Sequence, residues 1–132
     1  MIMNRRRCIQ TALAAAYVAA SSRAAETPRH IELHLDLAVA PGREQEMLSN
    51  FEKIFRPTAK SQPGYIDLKM LKLREAIRGG APPGGTYRFV LDFVSEDMRQ
   101  KWIASAAHAK AWPTIEDTLS DKNFNILLYD IY

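Results

Sequence analysis

The sequence predicts an α+β domain whose elements run β-α-β-β-α-β, and three observations carry that reading. Strand-like stretches alternate apolar and polar residues or run apolar on both faces. Between them, two stretches place apolar residues at helical spacing. Gly- and Pro-containing segments mark the joints.

The first strand is read over residues 30–39, with Ile31, Leu33, Leu35, Leu37 and Val39 on one face and His30, Glu32, His34 and Asp36 on the other. Ala40-Pro41-Gly42 ends it. From Arg43 the period becomes helical, through Met47, Leu48, Phe51, Ile54 and Phe55, and Glu44 and Glu46 suit the positive end of the helix dipole. Pro57 removes an internal N–H, so the helix should kink there or end within one more turn, at Lys60. Gln62-Pro63-Gly64 leads into a second strand over residues 65–73. Its Ile66, Leu68 and Met70 alternate, while Leu71 and Leu73 fall on the opposite face, which asks for a bulge or for cover on both sides. Residues 78–85, RGGAPPGG, make a long hairpin connection. Tyr87, Phe89, Leu91 and Phe93 then alternate with Arg88, Val90, Asp92 and Val94 in a third strand. Ser95 is placed to cap a second helix with Glu96 and Asp97 in its first turn, and that helix carries Met98, Trp102, Ser105 and His108 on one broad face. Ala111-Trp112-Pro113 breaks it, and a short helix with Ile115 and Leu119 follows. The last strand, residues 123–132, is apolar on both faces, as an interface strand is. Right-handed crossovers fold this order into a ferredoxin-like sandwich with both helices on one face and the first and third strands as central neighbours. His34 and Asp36 then lie near Arg88 and Asp92 on the other face, among Val90 and Leu71, and a second copy's sheet is expected to pack there.

Residues 1–24 are read as an export signal. A basic start with Arg5-Arg6-Arg7 precedes an alanine-rich apolar run, and Ser22-Arg23-Ala24 offers small residues at a cleavage site. The run is shorter than the about 20 residues that span a bilayer, and the paired arginines resemble a twin-arginine signal. The expected location is therefore periplasmic or secreted, with no membrane association once the leader is cut. The chain as a whole carries a net charge of +3. The leader accounts for Arg5, Arg6, Arg7 and Arg23, so the remainder has 14 basic against 15 acidic side chains. With the basicity gone, so is the case for a nucleic-acid partner. Cys8, the one cysteine, leaves with the leader, which excludes a thiol nucleophile or a cysteine-ligated metal in the domain expected over residues 30–132. Three histidines without metal-site spacing argue against a metal, and no phosphate-binding glycine motif is present.

Ala40-Pro41-Gly42-Arg43-Glu44 before the first helix, Gln62-Pro63-Gly64-Tyr65 entering the second strand, and Phe93-Val94-Ser95-Glu96 followed by Trp102-Ile103-Ala104-Ser105-Ala106-Ala107-His108 resemble the antibiotic biosynthesis monooxygenase family of dimeric α+β barrels. The resemblance covers most of the domain. It implies a homodimer with facing sheets and a small pocket between each sheet and its helices. For the oxygenase members it implies a small aromatic, phenolic or quinol substrate that is deprotonated and reacts with molecular oxygen, with no metal, flavin or other cofactor. Trp102 with Phe89 or Phe93 then supplies the slot, His108 or His34 the base, and Arg88 or Ser105 the stabiliser of the anion. The asparagine and tryptophan pattern of the oxygenases has no counterpart in this chain, so these roles rest on residue chemistry. Two alternatives share the fold: a non-catalytic small-molecule binding or stress-protection module, and a haem-binding or haem-degrading protein with His108 or His34 as axial ligand.

Overall fold

The computed structural model describes residues 29–132, and the export signal expected over residues 1–24 lies outside them. Among the described residues, no helix is long and apolar enough to cross a membrane. Strands β1 (Ile31–Leu37), β2 (Tyr65–Lys72), β3 (Tyr87–Phe93) and β4 (Ile126–Asp130) form one antiparallel sheet in the order β2-β3-β1-β4. With its helices on one face, this is the ferredoxin-like α+β fold, and β1 and β3 are the central pair. Ile31, Leu33, Leu35 and Leu37 of β1 and Phe89, Leu91 and Phe93 of β3 are buried beneath the helices, so alternation places them as expected.

Three strand boundaries and one face assignment differ from the sequence reading. Val39 is not part of β1; it forms an isolated bridge to Leu119 that ties the strand's exit to the C-terminal half. The β2 bulge lies at the strand's start, where the pairing skips from Tyr65 opposite Phe93 to Asp67 opposite Asp92. Ile66 is the extra residue and is exposed rather than covered by helices, while Leu68 is fully buried. Leu71 and Leu73 do emerge on the other face, half-exposed, with β2 ending at Lys72. β4 begins three residues later than read, at Ile126, and all five of its residues are exposed.

The first helix, α1, runs through three consecutive segments: Glu44–Asn50, a π-helical turn Phe51–Phe55, and Arg56–Lys60. Pro57 accounts for the middle one. A proline inside a regular helix removes an N–H and drives its ring against the carbonyl four residues back. The wider turn accommodates it, with the Arg56 N–H bonding the Phe51 carbonyl five residues earlier. Phe51 and Phe55 consequently both point into the core. At the N-terminal end, Arg43 bonds Glu46 at 2.8 Å and also donates to the Asp117 carbonyl, pinning the Pro-Gly turn to the far side of the fold.

The sequence reads residues 96–111 as a single helix; the structure divides it into α2 (Glu96–Ile103) and α3 (Ala106–Ala111), followed by α4 (Pro113–Glu116). Ser95 caps α2, accepting from the Met98 N–H at 3.3 Å. Ser105 makes the break. Its hydroxyl donates to the Trp102 carbonyl at 2.6 Å and accepts from the His108 N–H at 3.1 Å, so one side chain ties the last turn of α2 to an orphan N–H of α3.

Candidate functional site

The break at Ser105 brings Trp102 and His108 together. Their ring centroids lie 5.0 Å apart in an edge-to-face arrangement. One helical turn further on, the Trp112 ring lies nearly parallel to the imidazole, at 6.4 Å and 13°. Phe55 from the π-helical turn packs edge-on against Phe89 at 5.1 Å, Trp102 at 5.8 Å and Trp112 at 6.1 Å. Phe124, on the approach to β4, closes the set against Trp112 at 5.8 Å. These rings wall a cavity of about 250 Å³ between the sheet and the helices.

The cavity is largely apolar, and its polar groups are few. His108 is half-buried, and burial pushes its imidazole below the ordinary histidine range, which keeps it neutral and able to accept a proton at neutral pH. Arg99 lines the cavity, and its guanidinium is held by Glu96 through two bonds of 2.7 and 2.6 Å. Glu116 accepts from the Trp112 indole N–H at 2.9 Å and so fixes that ring's orientation.

Of the residues singled out from sequence, Phe89, Trp102 and His108 line this cavity. Phe93 is fully buried as core and does not line it. Ser105 is a helix cap with its hydroxyl bonded on both sides. His34 and Arg88 are on the opposite face of the sheet, so the structure does not bring them to His108. Sequence reading passed over Phe55, Trp112, Phe124 and Arg99. A signal existed for Trp112, which follows His108 by four residues and therefore shares its helix face. None existed for Phe55, whose approach to the cavity depends on the π-helical turn.

The opposite face is built differently. One cross-strand row reads Asp67, Asp92, Glu32, Tyr129, and the next reads Lys69, Val90, His34, Leu127. The His34 ring contacts Tyr129 at 4.7 Å and bonds Glu32 at 2.6 Å. That bond, with a second to Asp92, holds Glu32 below the usual carboxylate range. Burial, followed by hydrogen bonding to Glu32, pushes Asp92 up to about 6. Its Oδ1 is buried without a donor and Glu32 stands directly opposite on β1, so a shared proton is the natural way to satisfy it. No group of three or more His, Asp or Glu side chains among the described residues has the geometry of a metal site. Arg88 pairs with Asp36 at 2.8 Å further along the strands. A larger hollow, about 410 Å³, lies beside that pair under the β2–β3 connection, but it is an open groove without the aromatic walls of the His108 cavity.

No family model and no curated protein matches the chain. Solved structures do. A hydroxynitrile lyase from Passiflora edulis superimposes with a TM-score of 0.66 at 11% identity, covering 80% of this chain and 95% of its own. SnoaB, a cofactor-independent oxygenase from Streptomyces nogalater, gives 0.62 at 13% identity over 79% and 94%. A dimeric ferredoxin-like protein of unknown function from Jannaschia sp. CCS1 gives 0.62 at 14% identity over 78% and 98%. At these identities the likeness is one of fold: the chain has the ferredoxin-like α+β architecture that cofactor-independent oxygenases share with proteins of other chemistry.

Proposed function

We propose that the chain is a cofactor-independent monooxygenase that oxidises a small phenol or quinol in the cavity beside Trp102 and His108. The observation that carries this reading is a neutral, half-buried imidazole held between two indoles in an apolar aromatic slot. Such a slot takes a flat ring, and the imidazole takes its proton. Arg99, fixed by Glu96, is the cation available to the resulting anion, the role that sequence reading gave to Arg88 or Ser105. The anion passes electrons to oxygen and bonds to it, and the imidazolium returns its proton to the resulting peroxide. Loss of water from the hydroperoxide leaves the quinone, with one oxygen atom in the product and the other in water.

A binding module without turnover is the second reading. It is favoured by the scarcity of polar donors in the cavity. Haem fits poorly, since about 250 Å³ falls below even the ~300–1,000 Å³ range of drug-sized sites. Association in pairs through the open sheet face, and action outside the cytoplasm, complete the proposal; their support is the mixed open face and the leader sequence.

Oxygen uptake by purified, metal-free protein with a panel of phenols and hydroquinones tests the reading. Turnover abolished by Trp102→Ala and His108→Ala supports it. Ligand-dependent thermal stabilisation without oxygen consumption would favour the binding module. Export is checked with Arg5→Lys/Arg6→Lys, which should hold the product in the cytoplasm.

A further inference from the structure

The open face of the sheet is charged unevenly along its strands. At one end, Asp67, Asp92 and Glu32 stand side by side on three neighbouring strands. Like charges directly opposite one another are unfavourable within a sheet. At the other end Arg88 is engaged by Asp36, and Arg74 and Arg78 of the β2–β3 connection border the same groove, with Glu75 between them in sequence. Half-exposed Leu71, Leu127 and Tyr129 lie on this face, with buried Val90 at its centre.

Two sheets facing across a two-fold axis that runs along the strands would bring both carboxylate rows together. An axis across the strands instead lays each row over the partner's arginine-bearing end, and charge selects this second arrangement. We infer that the Asp67–Asp92–Glu32 row is a pH-sensitive contact for a second copy of this chain, closed when the row is ionised and released in acid. The inference rests on the pairing proposed above.

The sign follows from the groups that face Asp92: Glu32 and His34 on β1, Asp67 and Lys69 on β2, and Tyr129 on β4. In the single chain Asp92 holds its proton up to about 6. Arginines arriving from a partner lower that value, so association expels the proton. The contribution is present above about 6 and is lost as pH falls through the lower value of the pair. Each proton expelled makes the dissociation constant vary about tenfold per pH unit, and a symmetric pair has two such sites.

Sedimentation velocity on the full chain between pH 5 and pH 8, with circular dichroism confirming the fold at each pH, provides the test. The expected result is a dissociation constant at least about tenfold larger at pH 5 than at pH 7, with the dependence largely removed in Asp92→Asn. Asp67→Asn, at a half-exposed side chain, should weaken pairing at pH 7 without touching the core, and Arg74→Glu/Arg78→Glu should weaken it further. Pairing that is indifferent to pH, or tighter in acid, overturns the inference while leaving the pairing itself intact. A monomer at every pH overturns both.

Discussion

The two faces of one sheet contain the same strands and obey opposite rules. The helix-covered face is aromatic and nearly dry, and its single half-buried imidazole meets rings rather than carboxylates. The open face carries a histidine as well, but His34 is bonded to Glu32 and packs at a tilt against Tyr129 beside a carboxylate row. A histidine's chemistry is thus set by which side of the sheet it lies on. Desolvation keeps His108 neutral and available, whereas hydrogen bonding engages His34.

The contrast can be broken most severely at the core of the covered face. Phe55 is 1% exposed and joins Phe89, Trp102 and Trp112, so Phe55→Ala should cost about 3–5 kcal/mol, measured by urea unfolding. The same change should open the cavity and weaken aromatic ligands. Gly64→Ala comes next. Gly64 has φ +86°, and a Cβ there would lie 2.7 Å from Met98 Cβ, so strain and overpacking together should cost about 2–4 kcal/mol. Adding Met98→Ala should return little of that loss, because alanine keeps the Cβ that makes the contact and removes only the 2.8 Å approach of Met98 Cγ.

Smaller effects sharpen the division of labour. Ser105→Ala should cost about 1 kcal/mol as a lost cap, and Ser105→Asp should recover most of it. If Ser105→Asp recovers stability and oxygen uptake together, the hydroxyl is a cap; uptake lost despite full stability would make it a participant in the chemistry. On the open face, Asp92 binds its proton more tightly in the fold than in the unfolded chain, where its ordinary value is 3.8. At concentrations where the chain is single, stability should therefore decline as pH rises from about 4 to about 6, and Asp92→Asn should flatten that decline in thermal melts.

Much of this division is legible in the sequence. Alternation in 31–37 and 87–93 assigns both faces residue by residue, because a strand's side chains have a period of two. The pairing of Asp36 with Arg88 follows from that alternation and the strand order. What stays hidden depends on hydrogen bonds that pattern alone does not count. Ser105 looks like a small residue within one helix until its two bonds divide that helix and turn His108 toward Trp102. Pro57 signals trouble in α1, but not that a π-helical turn will absorb it and aim Phe55 at the cavity. His34 and Arg88 were plausible site residues by type, and only the placement of the cavity between sheet and helices separates them from His108.

The most direct measurement sets one face against the other: oxygen uptake with an active phenol or hydroquinone, compared between His108→Ala and His34→Ala across pH. A general base contributes about 10²–10⁴-fold. The expected result is a loss of that order for His108→Ala, with wild-type activity falling as pH drops through a value below the ordinary 6.5 of histidine, and little change in turnover for His34→Ala. Equal activity in wild type and His108→Ala, or a loss confined to His34→Ala, would contradict the account.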